Sequence, residues 1–207
     1  MPPLPPVTQF LMLLCTAVYC LQVILPSIGI DLSSWIALWP IGSGRFMPWQ
    51  VVTYAFAHAS FTHLLFNMLG LWMFGSELEL LWGQKRYLQF VAAGILAGAA
   101  TFLVLAMLGI GFGVAVGISA ALYALLMASA MLFPNRTVMP IVPPIPMKMR
   151  TFVLVFGGIS LVMGLMSGSV MVALTHLGGM IGGYLMIQYW RGKPPFGGSG
   201  RGPRRVH

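Results

Sequence analysis

Six long apolar runs alternate with short polar, glycine-rich or proline-rich breaks, at roughly residues 7–25, 60–81, 87–109, 116–133, 150–166 and 170–190. Each comes near the ~20 apolar residues that a helix needs to cross the hydrocarbon of a bilayer. The pattern predicts an all-α polytopic membrane protein with six transmembrane helices. The breaks carry turn chemistry: Pro26 after the first run, "WGQKR" after the second and "GIGFGVAVG" after the third. "PNRTVMPIVPPIPMKMR" follows the fourth run, and "SGS" separates the last two. Three parts are expected: a short N-terminal segment 1–6, a membrane-embedded unit 7–190, and a basic, disordered tail 191–207. No basic residue precedes the first run and no Ala-x-Ala site follows it. That run therefore reads as a spanning helix rather than a cleaved signal peptide.

Composition strengthens this picture. Of the 207 residues 58% are hydrophobic and 7% charged, and the mean hydropathy is +0.90. The net charge of +8 sits in clusters between apolar runs, not on one soluble face, which argues against nucleic-acid binding. Ten of the eleven Lys and Arg residues fall in the second-to-third loop, the fourth-to-fifth loop and the tail; only Arg45 falls on the other side. By the positive-inside rule both termini are cytoplasmic and the loop 26–59 faces outward. That loop carries Trp35, Trp39 and Trp49, so it is expected to lie along the membrane interface as short helices. Cys15 and Cys20 are five apart on one helix and face different ways, so neither a mutual disulfide nor a metal site is expected.

A few polar residues sit where hydrocarbon is expected, near the outer ends of the second, fourth and sixth runs. His63 and Asn67 are four apart and share a face, as do Ser119 and Tyr123. His176 lies six residues into the last run, ~9 Å along its axis. Polar groups at such depth face a bundle interior or a cavity. Ser119 and His176 are a nucleophile and its base if they touch. The acids, Asp31, Glu77 and Glu79, lie elsewhere, so such a unit is a dyad whose imidazole is oriented by packing, with Tyr123 as a candidate surface. Glu77 and Glu79 are expected to anchor the inner end of the second helix, pairing with Lys85 or Arg86. The glycines of "GIGFGVAVG" let the fourth helix begin below the surface, where its free N–H groups favour an oxyanion. Gly179 and Gly183 continue the His176 face as a stripe that admits a neighbouring backbone.

These residues together resemble the rhomboid intramembrane serine proteases in their compact six-helix bacterial form. An H-x-x-x-x-H-x-x-x-N motif appears as His58, His63 and Asn67, and a G-x-S motif as Gly117 and Ser119 in "GISA". An H-x-x-G-x-x-x-G motif appears as His176, Gly179 and Gly183, and E-x-x-x-G-x-x-x-aromatic as Glu79, Gly83 and Tyr87. The match covers about residues 7–190, with the motifs in order. The resemblance implies a rhomboid-like bundle in which Ser119 attacks a peptide carbonyl and His176 is base, then acid. His63, Asn67 and the Ser119 N–H would hold the oxyanion, and His58 would line the cavity with Tyr123. Gly117, Gly179 and Gly183 would serve close packing. The implied substrates are single-pass transmembrane proteins cut near the outer membrane boundary, reached past a fifth helix whose Gly157, Gly158 and Gly164 permit movement. The implied setting is a cell membrane, a bacterial inner membrane above all, with the site open to the extracytoplasmic side and no cofactor.

Two positions depart from the pattern. Ala120 stands where the family usually has Gly, which is expected to narrow the substrate's approach or crowd helix packing. Gln50 stands where many members have Arg, which is expected to lower stability rather than activity. Singly, Ser119 and Tyr123 would read as packing residues, and the basic tail as a contact for membrane lipids. Three other functions compete. A catalytically inactive relative that binds transmembrane clients would typically lack Ser119 or His176. A proton-relaying transporter would call for repeats and acids at mid-membrane. A zinc site of His58, His63 and His176 would leave Ser119 and Asn67 unexplained. The sequence does not specify an oligomeric state.

Overall fold

The computed structural model describes residues 4–111, 113–140, 144–166 and 169–192, with the Leu165 side chain left aside. Lys193, Arg201, Arg204 and Arg205 of the tail lie outside the described residues. Six principal helices follow the six apolar runs: α1 Pro6–Ile24, α2 Phe61–Trp82, α3 Gln84–Met107, α4 Ser119–Leu132, α5 Met149–Met166 and α6 Val170–Arg191. Among the described residues, four are long and apolar enough to cross a membrane: α1 with the turn that follows it, α2, α3 and α6. The other two are shorter, and α4 has only 14 residues. The chain is a multi-pass membrane protein.

Local chemistry explains where the helices start and stop. Pro6 occupies the first turn of α1, where a missing N–H costs nothing. The free amides of Val7 and Thr8 donate to Glu79 Oε1 and Oε2 at 2.9 and 2.7 Å, and Thr8 Oγ1 adds a bond of 2.8 Å. A carboxylate from α2 thus caps α1. Ser60 caps α2 by accepting from the His63 N–H at 3.1 Å. Within α2 the helix loosens into a π turn at Leu71–Gly75, and it ends at Gly83, whose φ of +77° suits glycine. Glu77 pairs with Arg136, and Glu79 with the start of α1, so the expected partners Lys85 and Arg86 are not the ones used. The fourth-to-fifth connection, folded back by a short antiparallel pairing of Thr137–Val138 with Met147–Lys148, brings Arg136 to α2.

Packing among α3, α4 and α6 rests on small residues. In lipid, close approach of backbones replaces the hydrophobic effect as the force between helices. Gly94 and Gly98 of α3 lie against Ala121 and Ala120 of α4. Gly179 and Gly183 of α6 lie against the backbone of Ala120 and Ala124. A second stripe, Gly178 and Gly182, faces Thr101 and Ala97 of α3. So α6 presses against two helices at once, where the sequence motif accounts for only one contact. Large apolar side chains such as Leu154 and Met107 point outward, as a lipid-facing surface requires.

The loop between α1 and α2 forms short helices at Leu32–Ile36 and Gln50–Thr53 and a 3-10 turn at Tyr54–Phe56. Its hub is Gln50, fully buried: Oε1 accepts from the Trp39 and Met47 N–H groups, while Nε2 donates to the Trp35 and Arg45 carbonyls. The glutamine therefore fills a structural anchoring place with all its polar valences engaged. Leu38 and Ala115 exchange backbone bonds of 3.0 Å, which ties this loop to the segment leading into α4.

Candidate active site

Ser119 is the first residue of α4, and the chain reaches it through Gly117 at φ +104°. The Gly117 N–H donates to the Tyr54 carbonyl at 2.8 Å, and Tyr54 is itself fixed by its hydroxyl on the Ile95 carbonyl at 2.7 Å. The start of α4 is thus held from the loop between α1 and α2. A Cβ at Gly117 would fall 2.6 Å from His63 Cε1 and 3.6 Å from Asn67 Nδ2. Its absence lets the polar face of α2 come against the first turn of α4. Gly117 accordingly serves the close approach of α2 to the start of α4.

Across from Ser119 stands His176 of α6, its Nε2 2.9 Å from Ser119 Oγ. The contact depends on Gly179, which brings the α6 backbone onto that of Ala120. Tyr123, one turn along α4, stacks on the imidazole with ring centroids 4.4 Å apart and planes 13° from parallel. The imidazole has a further partner: Ser160 Oγ of α5 lies 2.8 Å from His176 Nδ1. Among the described residues no carboxylate touches it, and a hydroxyl stands at Nδ1 where a triad would have an acid.

Asn67 is buried, and its Nδ2 has no hydrogen-bond partner among the described residues. A buried amide donor without an acceptor is costly unless something transient fills its place. Asn67 lines a cavity of about 590 Å³ that also takes in His63, Ser119, Tyr123, Ser160 and His176. The remaining wall is apolar, from Phe66 and Met73 of α2 and Phe156 and Ile159 of α5. Such a pocket suits an apolar chain with one polar group at its reactive end.

His58 does not line this cavity; it packs behind His63, with ring centroids 5.2 Å apart. Its place is fixed by Gln22 of α1, whose Oε1 accepts the His58 N–H at 2.9 Å and whose Nε2 reaches Ser33. Burial first, and the nearby His63 second, hold the His58 imidazole well below its usual value, at about 4. It is neutral, and Nδ1–H donates to the Phe56 carbonyl at 3.1 Å. Its contact with the site is therefore through the His63 ring. The Ala120 methyl also turns away from the cavity, toward Gly98 of α3, so of the two effects expected of it the packing one applies.

Sequence reasoning missed Ser160 and Gln22. A signal for Ser160 does exist. Gly157 and Gly164 face Met180 and Ala173 of α6, and Ser160 falls between them at helical spacing, as the polar member of that stripe.

The family model described as Rhomboid domain matches residues 45–192. The curated protein named rhomboid protease GlpG in Yersinia pestis (strain Pestoides F) is 32% identical over 123 residues, 58% of this chain and 41% of that protein. The protein of the same name in Yersinia pseudotuberculosis serotype O:3 (strain YPIII) gives the same figures, and that of Yersinia enterocolitica serotype O:8 is 31% identical. The match thus spans about two fifths of these relatives' length.

Proposed function

Since the chain belongs to the rhomboid family, we propose that it is an intramembrane serine endopeptidase working through a Ser119–His176 dyad. The observation that carries this reading is the 2.9 Å approach of Ser119 Oγ to His176 Nε2 beside the unpartnered amide of Asn67. Ser119 Oγ attacks the scissile carbonyl carbon while His176 Nε2 takes the hydroxyl proton. The carbonyl electron pair moves onto oxygen, where Asn67 Nδ2, His63 and the Ser119 N–H stabilise it. Collapse expels the amine, which receives the proton from His176. Water then adds to the acyl-enzyme by the same route, releasing the new carboxyl end and regenerating the serine.

In this reading α4 and α5 complete six membrane helices. A 14-residue helix measures ~21 Å against ~30 Å of hydrocarbon. With its inner end at the cytoplasmic interface, Ser119 sits several ångströms below the outer one. The substrates are single-pass transmembrane proteins, admitted to the apolar wall between α2 and α5 and cut near their outer boundary. The protein resides in a cell membrane with both termini cytoplasmic and the cavity open to the far side.

The test is cleavage of a model single-pass substrate by the purified protein in liposomes. Wild type is expected to cut, with and without chelator, while Ser119→Ala and His176→Ala do not. Undiminished cleavage by folded Ser119→Ala would overturn the reading. Client binding without cleavage by wild type would favour the inactive relative.

A further inference from the structure

We propose that Ser160 of α5 is a positioning residue for the base: it accepts the Nδ1 proton of His176 and thereby selects the imidazole tautomer that can activate Ser119. This rests on the protease reading above, which assigns Nε2 the role of proton acceptor.

The geometry leaves little latitude. A neutral imidazole carries one ring proton. To take the Ser119 proton at Nε2, 2.9 Å away, His176 must hold its own at Nδ1. Nδ1 then needs an acceptor, and Ser160 Oγ stands 2.8 Å from it, on a different helix and well outside the local sequence. Tyr123 stacks at 13° from parallel, so it fixes the plane of the ring. Stacking cannot tell one tautomer from the other, because moving the proton between the two nitrogens leaves the ring face unchanged. The hydroxyl can, since it rewards a proton at Nδ1 when the serine's own proton points elsewhere. When the imidazole becomes doubly protonated the same oxygen accepts from a charged donor, a stronger bond than the neutral one.

The place of Ser160 adds a second consequence. Its helix also supplies Phe156 and Ile159 to the apolar wall of the cavity. The group that sets the base is therefore mounted on a surface that an occupying chain touches. An occupant that pushes this wall outward by about an ångström stretches the bond beyond hydrogen-bonding range.

The experiment uses the full chain in detergent micelles, with Ser160→Thr and Ser160→Val as a pair of nearly equal shape, one with a hydroxyl and one without. Nitrogen-15 spectra of the histidines report the tautomer directly. Turnover of a model transmembrane substrate and labelling of Ser119 by a fluorophosphonate report its use. Wild type and Ser160→Thr are expected to show His176 protonated at Nδ1. Ser160→Val is expected to show a mixture of tautomers, with kcat and the labelling rate reduced about tenfold and KM unchanged. Wild-type turnover and an unaltered tautomer in folded Ser160→Val would overturn the inference and leave the protease reading standing. A Thr variant as impaired as Val, with the hydrogen-bonded tautomer intact, would also overturn it, reducing Ser160 to packing. If the wild type neither cuts nor labels, the protease reading fails, while the spectra still decide whether Ser160 sets the tautomer.

Discussion

The donors around Ser119 are unequal, and burial ranks them. His63 is one of two histidines in contact, and its ring also touches the one behind it. Asn67 Nδ2 by contrast is buried and has no hydrogen-bond partner among the described residues, which leaves its N–H uncommitted. Asn67→Ala is expected to lower kcat roughly a hundredfold with KM little changed; steady-state kinetics on the model substrate would show it, and a change confined to KM would contradict the role. The placement of His63 with Asn67 and of Ser119 with Tyr123 was legible in the sequence, because each pair is four apart on one helix face, as was that of His176 from its depth in the last run. Ser160 was not. A serine in an apolar helix usually packs, and its distance from His176 depends on how α5 leans on α6. His58 does not take the cavity-lining place that the family resemblance implied, because its ring stands behind that of His63.

At the scale of the element, the bundle interior is a fit of methyls into missing methyls. A Cβ at Gly98 would come within 2.5 Å of the Ala120 Cβ and 2.8 Å of the Tyr54 hydroxyl. Gly98→Ala is expected to destabilise the protein by about 1–3 kcal/mol, with part of the loss recovered in the double variant Gly98→Ala, Ala120→Gly. Thermal unfolding of all four combinations measures this; additivity within about 0.5 kcal/mol would mean that the two positions do not meet. Helix ends agreed with the apolar runs to within about three residues, since hydropathy changes sharply where charge and proline begin. The π turn at Leu71–Gly75 left no trace in hydropathy, because it changes hydrogen bonding without changing burial pattern. Nor did the pairing of Glu77 with Arg136, which depends on a connection folding back across 59 positions.

For the whole molecule, charge and aromatic residues point to one orientation. Arg45 of the loop between α1 and α2 lies over the Trp39 ring at 4.8 Å, and Trp35 and Trp49 of the same loop are exposed. Single cysteines in a chain freed of Cys15 and Cys20 offer a direct check. Ser43→Cys is expected to react with a membrane-impermeant thiol reagent from outside intact cells, and Lys148→Cys only after lysis. The reverse pattern would invert the proposed topology. Glu79 carries a different implication, for biogenesis. It is buried and answered by two amides and a hydroxyl of α1, not by a cation. Until α1 is in place that carboxylate has no shell, so a helix made earlier by the ribosome serves as the solvent for a residue made later. Although its surface mostly faces outward, α1 is thus no dispensable anchor. A chain shortened to begin after it would insert its remaining helices around an unmet charge.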